Sequence, residues 1–170
     1  MILIALGANI GSPAGAPAET LRAALRELPR QGIAVSAVSS FYASPAWPNS
    51  RDPAFVNAVA QIEMAAEPAR LLMVLKQMER HFGRVTAERN APRPLDLDII
   101  DYNGRVERGP PILPHPRLHE RGFVLIPLLE IAPEWHHPVS GASADTLIAR
   151  LPPEARLITR LSGGAALEPE

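Results

Sequence analysis

Two aspartates one residue apart, Asp96 and Asp98, lie in the stretch Arg93-Pro94-Leu95-Asp96-Leu97-Asp98-Ile99-Ile100-Asp101-Tyr102. Its apolar alternation predicts a short strand, in which residues two apart point to the same side. Asp96 and Asp98 then share one face, and Leu95, Leu97 and Ile99 share the other, toward a core. Two carboxylates so placed either repel or share a cation. Mg²⁺, a hard ion that takes oxygen ligands, is the simplest to share. The bland alternative, a half-buried strand with a solvated acidic face, is the commoner meaning of an isolated D-x-D.

The approach to this strand is cationic. Between Arg80 and Arg93 stand Arg80, Arg84, Arg89 and Arg93 against the single acid Glu88. Guanidinium forks match phosphate oxygens in pairs, so arginines leading into a carboxylate strand are more specific than either part alone. Metal ligands plus arginines point to transfer of a phosphoryl-type group, in which the protein positions and neutralises and need not supply a nucleophile. Other chemistries are excluded or disfavoured. There is no cysteine, hence no thiol nucleophile, disulfide or thiolate metal site. No GxxxxGK[ST] loop occurs, and Gly7-Ala8-Asn9-Ile10-Gly11-Ser12 reads as a turn serving backbone geometry. His115 and His119 stand at helical metal spacing but lack a third ligand, so a zinc site is not favoured. Phe55 and Asn57 can stack a planar ring and pair with its edge, or Asn57 can simply be a strand residue satisfied by backbone. Trp47, in a proline-stiffened loop over residues 43–54, either binds something or packs onto the core.

The elements that must hold these groups follow in order. Residues 2–6, ending at Gly7, read as a buried strand, and Pro17 to about Leu28 as a helix ended by Pro29 and Gly32. Ile33–Tyr42 and Phe55–Glu63 alternate as strands, the latter with Phe55, Asn57, Val59 and Gln61 on one face. Pro68 to about Phe82 is a helix, on whose apolar stripe Glu79 is an unusual residue. After the aspartate strand come an Asn103-Gly104 turn, a short arm at Arg105–Glu107, helix from Arg117 to Ile131, and a last helix Ala144–Leu151 capped by Ser143. Leu157–Leu161 reads as a short strand and residues 163–170 as a flexible tail. The order β-α-β-β-α-β is that of an α+β, ferredoxin-like antiparallel sheet with helices on both faces, a three-layer sandwich, in a single domain over residues 1–162.

The chain has 170 residues, enough for one core, and 17 basic residues against 18 acidic ones. That balance recruits neither nucleic acid nor an anionic membrane, so any charge-based function is local. The apolar N-terminus is too short to span a bilayer and lacks the basic start and cleavage site of a signal peptide, so a cytoplasmic protein is expected.

The segment from Glu79 through Gly83-Arg84 to Pro92-Arg93-Pro94-Leu95-Asp96-Leu97-Asp98-Ile99 resembles the 6-hydroxymethyl-7,8-dihydropterin pyrophosphokinase family of folate biosynthesis. So do Leu113-Pro114-His115-Pro116-Arg117, Glu120-Arg121-Gly122-Phe123-Val124-Leu125, Gly7-Ala8-Asn9, Ser40–Pro45 and Phe55-Val56-Asn57, in order and spacing. The resemblance spans residues 1–140. It implies transfer of pyrophosphate from ATP to the pterin hydroxymethyl group, leaving AMP, with two Mg²⁺ held by Asp96 and Asp98. It implies phosphate contacts from Arg84, Arg93, His115 and Arg121, with Arg84, Arg93, Asp96 and Asp98 as the catalytic set. Glu79 and Ile99 match positions at the nucleotide pocket. Phe55 and Phe123 would sandwich the pterin, Asn57 would read its edge, and Ser44, Pro45, Trp47 and Asp96 would line the slot. A monomer acting on small molecules is expected. Three departures stand out: Thr86 where a second arginine is common, Asn90 for a loop aromatic, and Lys76 for a nucleotide-contacting glutamine. Two rival readings use the same residues: a two-metal phosphohydrolase or nucleotidyltransferase, and a non-catalytic ferredoxin-like nucleotide-binding module.

Overall fold

The computed structural model of the chain describes residues 1–46, 49–85 and 91–162. Trp47, the segment Thr86–Asn90 with Arg89, and the tail expected at 163–170 lie outside the described residues. In chain order the elements are β1 (Ile2–Ala8), α1 (Pro17–Glu27), β2 (Ala34–Val38), β3 (Tyr42–Ser44), β4 (Phe55–Glu63), α2 (Pro68–His81), β5 (Asp96–Tyr102), α3 (Gly122–Ile131), α4 (Ala144–Arg150) and β6 (Thr159–Arg160). Every strand pairing is antiparallel. The sheet runs β5-β1-β4-β3-β6, with β2 also on β4, so the mixed α/β fold has an antiparallel sheet with β1 near its centre.

Local sequence explains the helix limits. Pro17 opens α1 where its missing N–H is not needed, and the Glu19 carboxylate accepts the Ala16 amide at 2.7 Å. Gly32, with φ +77°, reverses the chain after a 3₁₀ turn at Leu28–Gln31. Pro68 opens α2, and the Ser143 hydroxyl accepts from the Thr146 amide at 3.2 Å to cap α4, as its sequence predicts.

Four expectations need correction. The strand expected over Ile33–Tyr42 is broken into β2 and β3, because Ser39 and Ser40 draw hydrogen bonds off the regular ladder. Ser39 Oγ accepts from Val59 N at 3.0 Å, and Ser40 N donates to the Glu130 carboxylate at 2.9 Å. The helix expected from Arg117 starts as a 3₁₀ turn at Leu118–Glu120, and α3 begins at Gly122. The late strand shortens to Thr159–Arg160, and the arm after Gly104 reduces to a single bridge between Glu107 and Leu113.

Alternation along β1 divides the core. Ile2, Ile4 and Leu6 join a cluster with Leu21 and Leu25 of α1 and Leu71, Leu75 and Met78 of α2. Leu3 joins a second cluster with Val59, Ile100, Val124, Leu125 and Leu128 of α3 and Leu147 of α4. The β1–β5 register shifts between Leu3/Asp101 and Ile4/Ile99, leaving Ile100 as an extra residue in β5. The bulge resets the alternation: Leu97, Ile99 and Tyr102 enter the first cluster, and Ile100 enters the second. Asp101 is buried, accepting from Trp135 Nε1 at 2.7 Å and from Gly104 N at 2.9 Å.

Candidate functional site

Asp96 and Asp98 are half-buried at the start of β5, while Leu97 between them is fully buried. The register carries their face across the sheet. Gly7 of β1 pairs with Asp96 on one side and with Asn57 on the other, and Asn57 pairs in turn with Tyr42 of β3. Asp96, Gly7 and Asn57 thus form one row over three neighbouring strands. Phe55 and Val59 flank Asn57 at the spacing that shares its face. Gly7 adds no side chain to the row; a Cβ there would meet Asn57 Oδ1 at 3.4 Å and Phe55 Cδ1 at 3.7 Å. Asn57 is buried and donates through Nδ2 to Ser44 Oγ at 2.9 Å.

The cations converge on the carboxylates. Arg84 Nη1 lies 2.5 Å from Asp96 Oδ1 and 2.8 Å from Glu79 Oε1, and Arg93 Nη1 lies 3.2 Å from Asp96 Oδ2. Arg121 Nη1 stands 3.7 Å from Asp98 Oδ2, and His115 Nε2 stands 3.9 Å from the same oxygen. His115 Nδ1 accepts from Arg117 N at 3.1 Å, and its Nε2 faces both Arg121 Nη1, at 3.5 Å, and Asp98. Burial keeps His115 below the usual histidine value, with Arg121 adding to the shift and Asp98 opposing it. Burial also pushes Asp96 upward, but Arg93 and Arg84 outweigh it and hold the carboxyl below the ordinary aspartate range. The face therefore presents ionised carboxylate and fixed guanidinium together.

Glu79, the odd acid on the apolar stripe of α2, is 3% exposed. Its Oε1 accepts Leu97 N at 2.7 Å and Lys76 Nζ at 2.6 Å. It ties α2 to the backbone between the two aspartates. Burial raises its carboxyl above the usual value, and Lys76 offsets this only in part.

Both aromatic rings of the expected slot carry guanidinium partners: Arg93 Cζ is 6.0 Å from the Phe55 centroid, and Arg121 Cζ is 5.6 Å from that of Phe123. Ser44 and Pro45 border an open groove of about 610 Å³ whose other wall is the segment 156–159. Ile99 does not join the group, being 4% exposed in the cluster under α1 and α2. Trp47, Thr86, Arg89 and Asn90 lie outside the described residues.

Two positioning residues stand outside the expected site set. Asn9 belongs to a turn read as backbone geometry. It is buried, its Oδ1 accepts Arg93 N at 2.7 Å, and its Nδ2 donates to Pro53 O at 3.1 Å. It pins the arginine before β5 to the loop before Phe55. Lys76 Nζ donates to Leu97 O at 2.9 Å and stands 3.8 Å from Asp98 Oδ1. Its spacing from Glu79, one helical turn, was the available signal.

Among the described residues no group of three or more His, Cys, Asp and Glu side chains gathers as a metal cage. The donor set is two aspartates on one face. Such a pair suits a hard divalent ion that takes its other ligands from water and phosphate oxygens.

The model of the family described as 7,8-dihydro-6-hydroxymethylpterin-pyrophosphokinase (HPPK) matches residues 3–133. The chain is 37% identical over 172 residues to a 2-amino-4-hydroxy-6-hydroxymethyldihydropteridine pyrophosphokinase of Synechocystis sp., covering 99% of this chain and 86% of that one. It is 36% identical over 143 residues to a folic acid synthesis protein of Pneumocystis carinii, covering 84% of this chain and 19% of that longer one. The fold is similar to the crystal structure of Plasmodium falciparum HPPK-DHPS, with TM-score 0.64 and 12% identity, covering 87% of this chain and 40% of that one.

Proposed function

The chain belongs to the 7,8-dihydro-6-hydroxymethylpterin-pyrophosphokinase family, and from that premise we propose how its residues carry the activity. The chain is an enzyme of folate biosynthesis that transfers pyrophosphate from ATP to 6-hydroxymethyl-7,8-dihydropterin, giving the pterin diphosphate and AMP. The family match does not favour the two rival readings.

In the proposed arrangement the pterin stacks between Phe55 and Phe123, over the bare backbone of Gly7. Asn57, fixed by Ser44, reads the ring edge, and Pro45 lines the slot. The hydroxymethyl group then points along the row toward Asp96. Arg84, Arg93, His115 and Arg121 bind the triphosphate oxygens, and Glu79 holds the floor between the aspartates. Asp96 and Asp98 would hold Mg²⁺, two ions being expected, which neutralises charge on the phosphates as the pterin oxygen displaces AMP. ATP brings its own anionic oxygens, so the guanidiniums now paired with Asp96 gain a second partner and the aspartates are freed for metal. Ile99 contributes backbone and packing only.

The single observation that supports this reading is the row Asp96–Gly7–Asn57, which sets a carboxylate and a ring-reading amide two strands apart on one face, with Gly7 of β1 between them. The strand order, with core clusters on either side of β1, also supports the ferredoxin-like three-layer arrangement. No helix of the described residues is long and apolar enough to cross a membrane. A monomer acting on two small-molecule substrates, in the cytoplasm, remains our reading.

The test is AMP formation from Mg·ATP with and without 6-hydroxymethyl-7,8-dihydropterin. Pterin-dependent AMP is expected, and Asp96→Asn and Asp98→Asn should each lower it by at least about a hundredfold with the circular dichroism unchanged. Phosphate release without pterin, or near-normal turnover in Asp96→Asn, would overturn the assignment.

A further inference from the structure

The ring slot has two walls that come from different parts of the fold. Phe123 stands at the start of α3, whereas Ser44, Phe55 and Asn57 stand on β3 and β4. One side chain in the last turn of α3 bridges the walls. Glu130 Oε1 accepts from Ser40 Oγ at 2.7 Å, and Oε2 accepts from Ser40 N at 2.9 Å and from the Tyr42 hydroxyl at 3.0 Å. Arg160 of β6 closes the cluster, donating Nε to Ser40 Oγ at 2.7 Å with Nη2 3.4 Å from Glu130 Oε1. These partners are 30 to 90 residues from Glu130 in sequence, so none of the contacts is a local helix cap.

The cluster sits beside the ring-reading amide. Tyr42 is the register partner of Asn57, and Ser44, two residues on, holds the Asn57 side chain. On the other side of Ser40, Ser39 bonds both backbone groups of Val59, which shares a face with Asn57. A carboxylate receiving several charge-assisted bonds is a stiff joint. By contrast, Arg84, Arg93 and Asp96 are held by Asn9, Glu79 and one another, with no contact to Glu130.

We propose that Glu130 is a positioning residue for the planar-ring slot: it locks α3 to the β2–β3 corner and so sets the gap between Phe123 and the Phe55–Asn57 wall. The proposal rests on the pterin reading of that slot. Loss of the joint loosens ring binding more than triphosphate binding. A displacement of about 1 Å in such a slot costs tenfold or more in productive binding.

The experiment compares wild type, Glu130→Ala, Glu130→Gln and Tyr42→Phe. Binding of 6-hydroxymethyl-7,8-dihydropterin is followed by its own fluorescence with saturating Mg²⁺ and α,β-methylene-ATP, and nucleotide binding is measured separately by calorimetry. In Glu130→Ala the pterin Kd is expected to rise about tenfold or more while the nucleotide Kd moves by less than about threefold. Glu130→Gln, which keeps one acceptor oxygen for these donors, recovers part of the loss, and Tyr42→Phe gives a smaller rise. If Glu130→Ala does not fold, the graded order of the two milder variants decides. Unchanged pterin binding in the variants, or parallel loss of pterin and nucleotide, overturns the role of Glu130. Failure of the wild type to bind pterin would instead overturn the slot assignment.

Discussion

Glu79 offers a sharp test, because its contacts predict a stability effect distinct from loss of activity. Replacing it with alanine removes the acceptor of the Leu97 amide, a bond of 2.7 Å in a fully buried setting. A buried donor left unmade costs about 1–3 kcal/mol. The emptied volume adds about 1–2 kcal/mol. Against this, the variant no longer buries a carboxylate, whose raised pKa shows that its pairing does not fully offset desolvation. Its cations keep other partners: Lys76 retains Leu97 O, and Arg84 retains Asp96. The net expectation for Glu79→Ala is a loss of about 2–4 kcal/mol, or about 4–16 °C in Tm for a chain of this size. Glu79→Gln keeps an acceptor for the Leu97 amide and should lose only about 1–2 kcal/mol. Urea unfolding followed by circular dichroism at pH 7 measures both. The sign with pH is also fixed. A carboxyl whose folded pKa lies above its unfolded value of 4.5 withdraws stability as pH rises from that value through the folded pKa, so Glu79→Gln should remove this decline. The reasoning fails if Glu79→Ala stays within about 0.5 kcal/mol of wild type, or if alanine and glutamine cost the same.

Gly7→Ala should fold, since its Cβ meets only ordinary contacts, but should weaken pterin binding about tenfold or more by filling the slot floor; ring titration against thermal melting separates the two effects. Gly122→Ala should destabilise by about 1–3 kcal/mol, because a Cβ there overlaps the Ala155 carbonyl oxygen and something in the backbone must shift; unfolding curves decide it. His115 is held neutral by burial, so the unfolded chain binds its proton more readily below the ordinary value of 6.5, and stability falls as pH drops from there toward the lower folded pKa. His115→Gln should flatten that part of the stability profile, and an unchanged slope would refute the burial argument.

Much of the site was readable because strand period is a strict rule. Once Asp96 and Asp98 were placed on a strand, their common face followed, as did that of Phe55 and Asn57. What period could not supply was register. The pairing of Gly7 with both Asp96 and Asn57 depends on β1 lying between β4 and β5, which no local pattern encodes. Ile33–Tyr42 misled for a related reason: Ser39 and Ser40 fit the alternation, yet their partners, Val59 and Glu130, are remote in sequence. The same holds for Asn9, whose value lies in joining Arg93 to Pro53 across the fold. The bulge at Ile100 was likewise invisible, and it alone turns Asp101 to Trp135 while leaving Asp96 and Asp98 in phase.

The row Asp96–Gly7–Asn57 makes the sheet a ruler. Adjacent strands stand about 4.8 Å apart, so two spacings set roughly 9–10 Å between the carboxylate and amide backbones. That length is fixed by main-chain hydrogen bonding and does not drift with side-chain substitution. Sequence change in the slot can alter which ring edge is read or how tightly the ring is clamped. The reach from ring to charge can change only in whole strand spacings, by removing or inserting a strand. A substrate with a longer arm between its ring and its reacting hydroxyl would therefore demand a rebuilt sheet, so this enzyme's tolerance for chain length is expected to be far narrower than its tolerance for ring substituents.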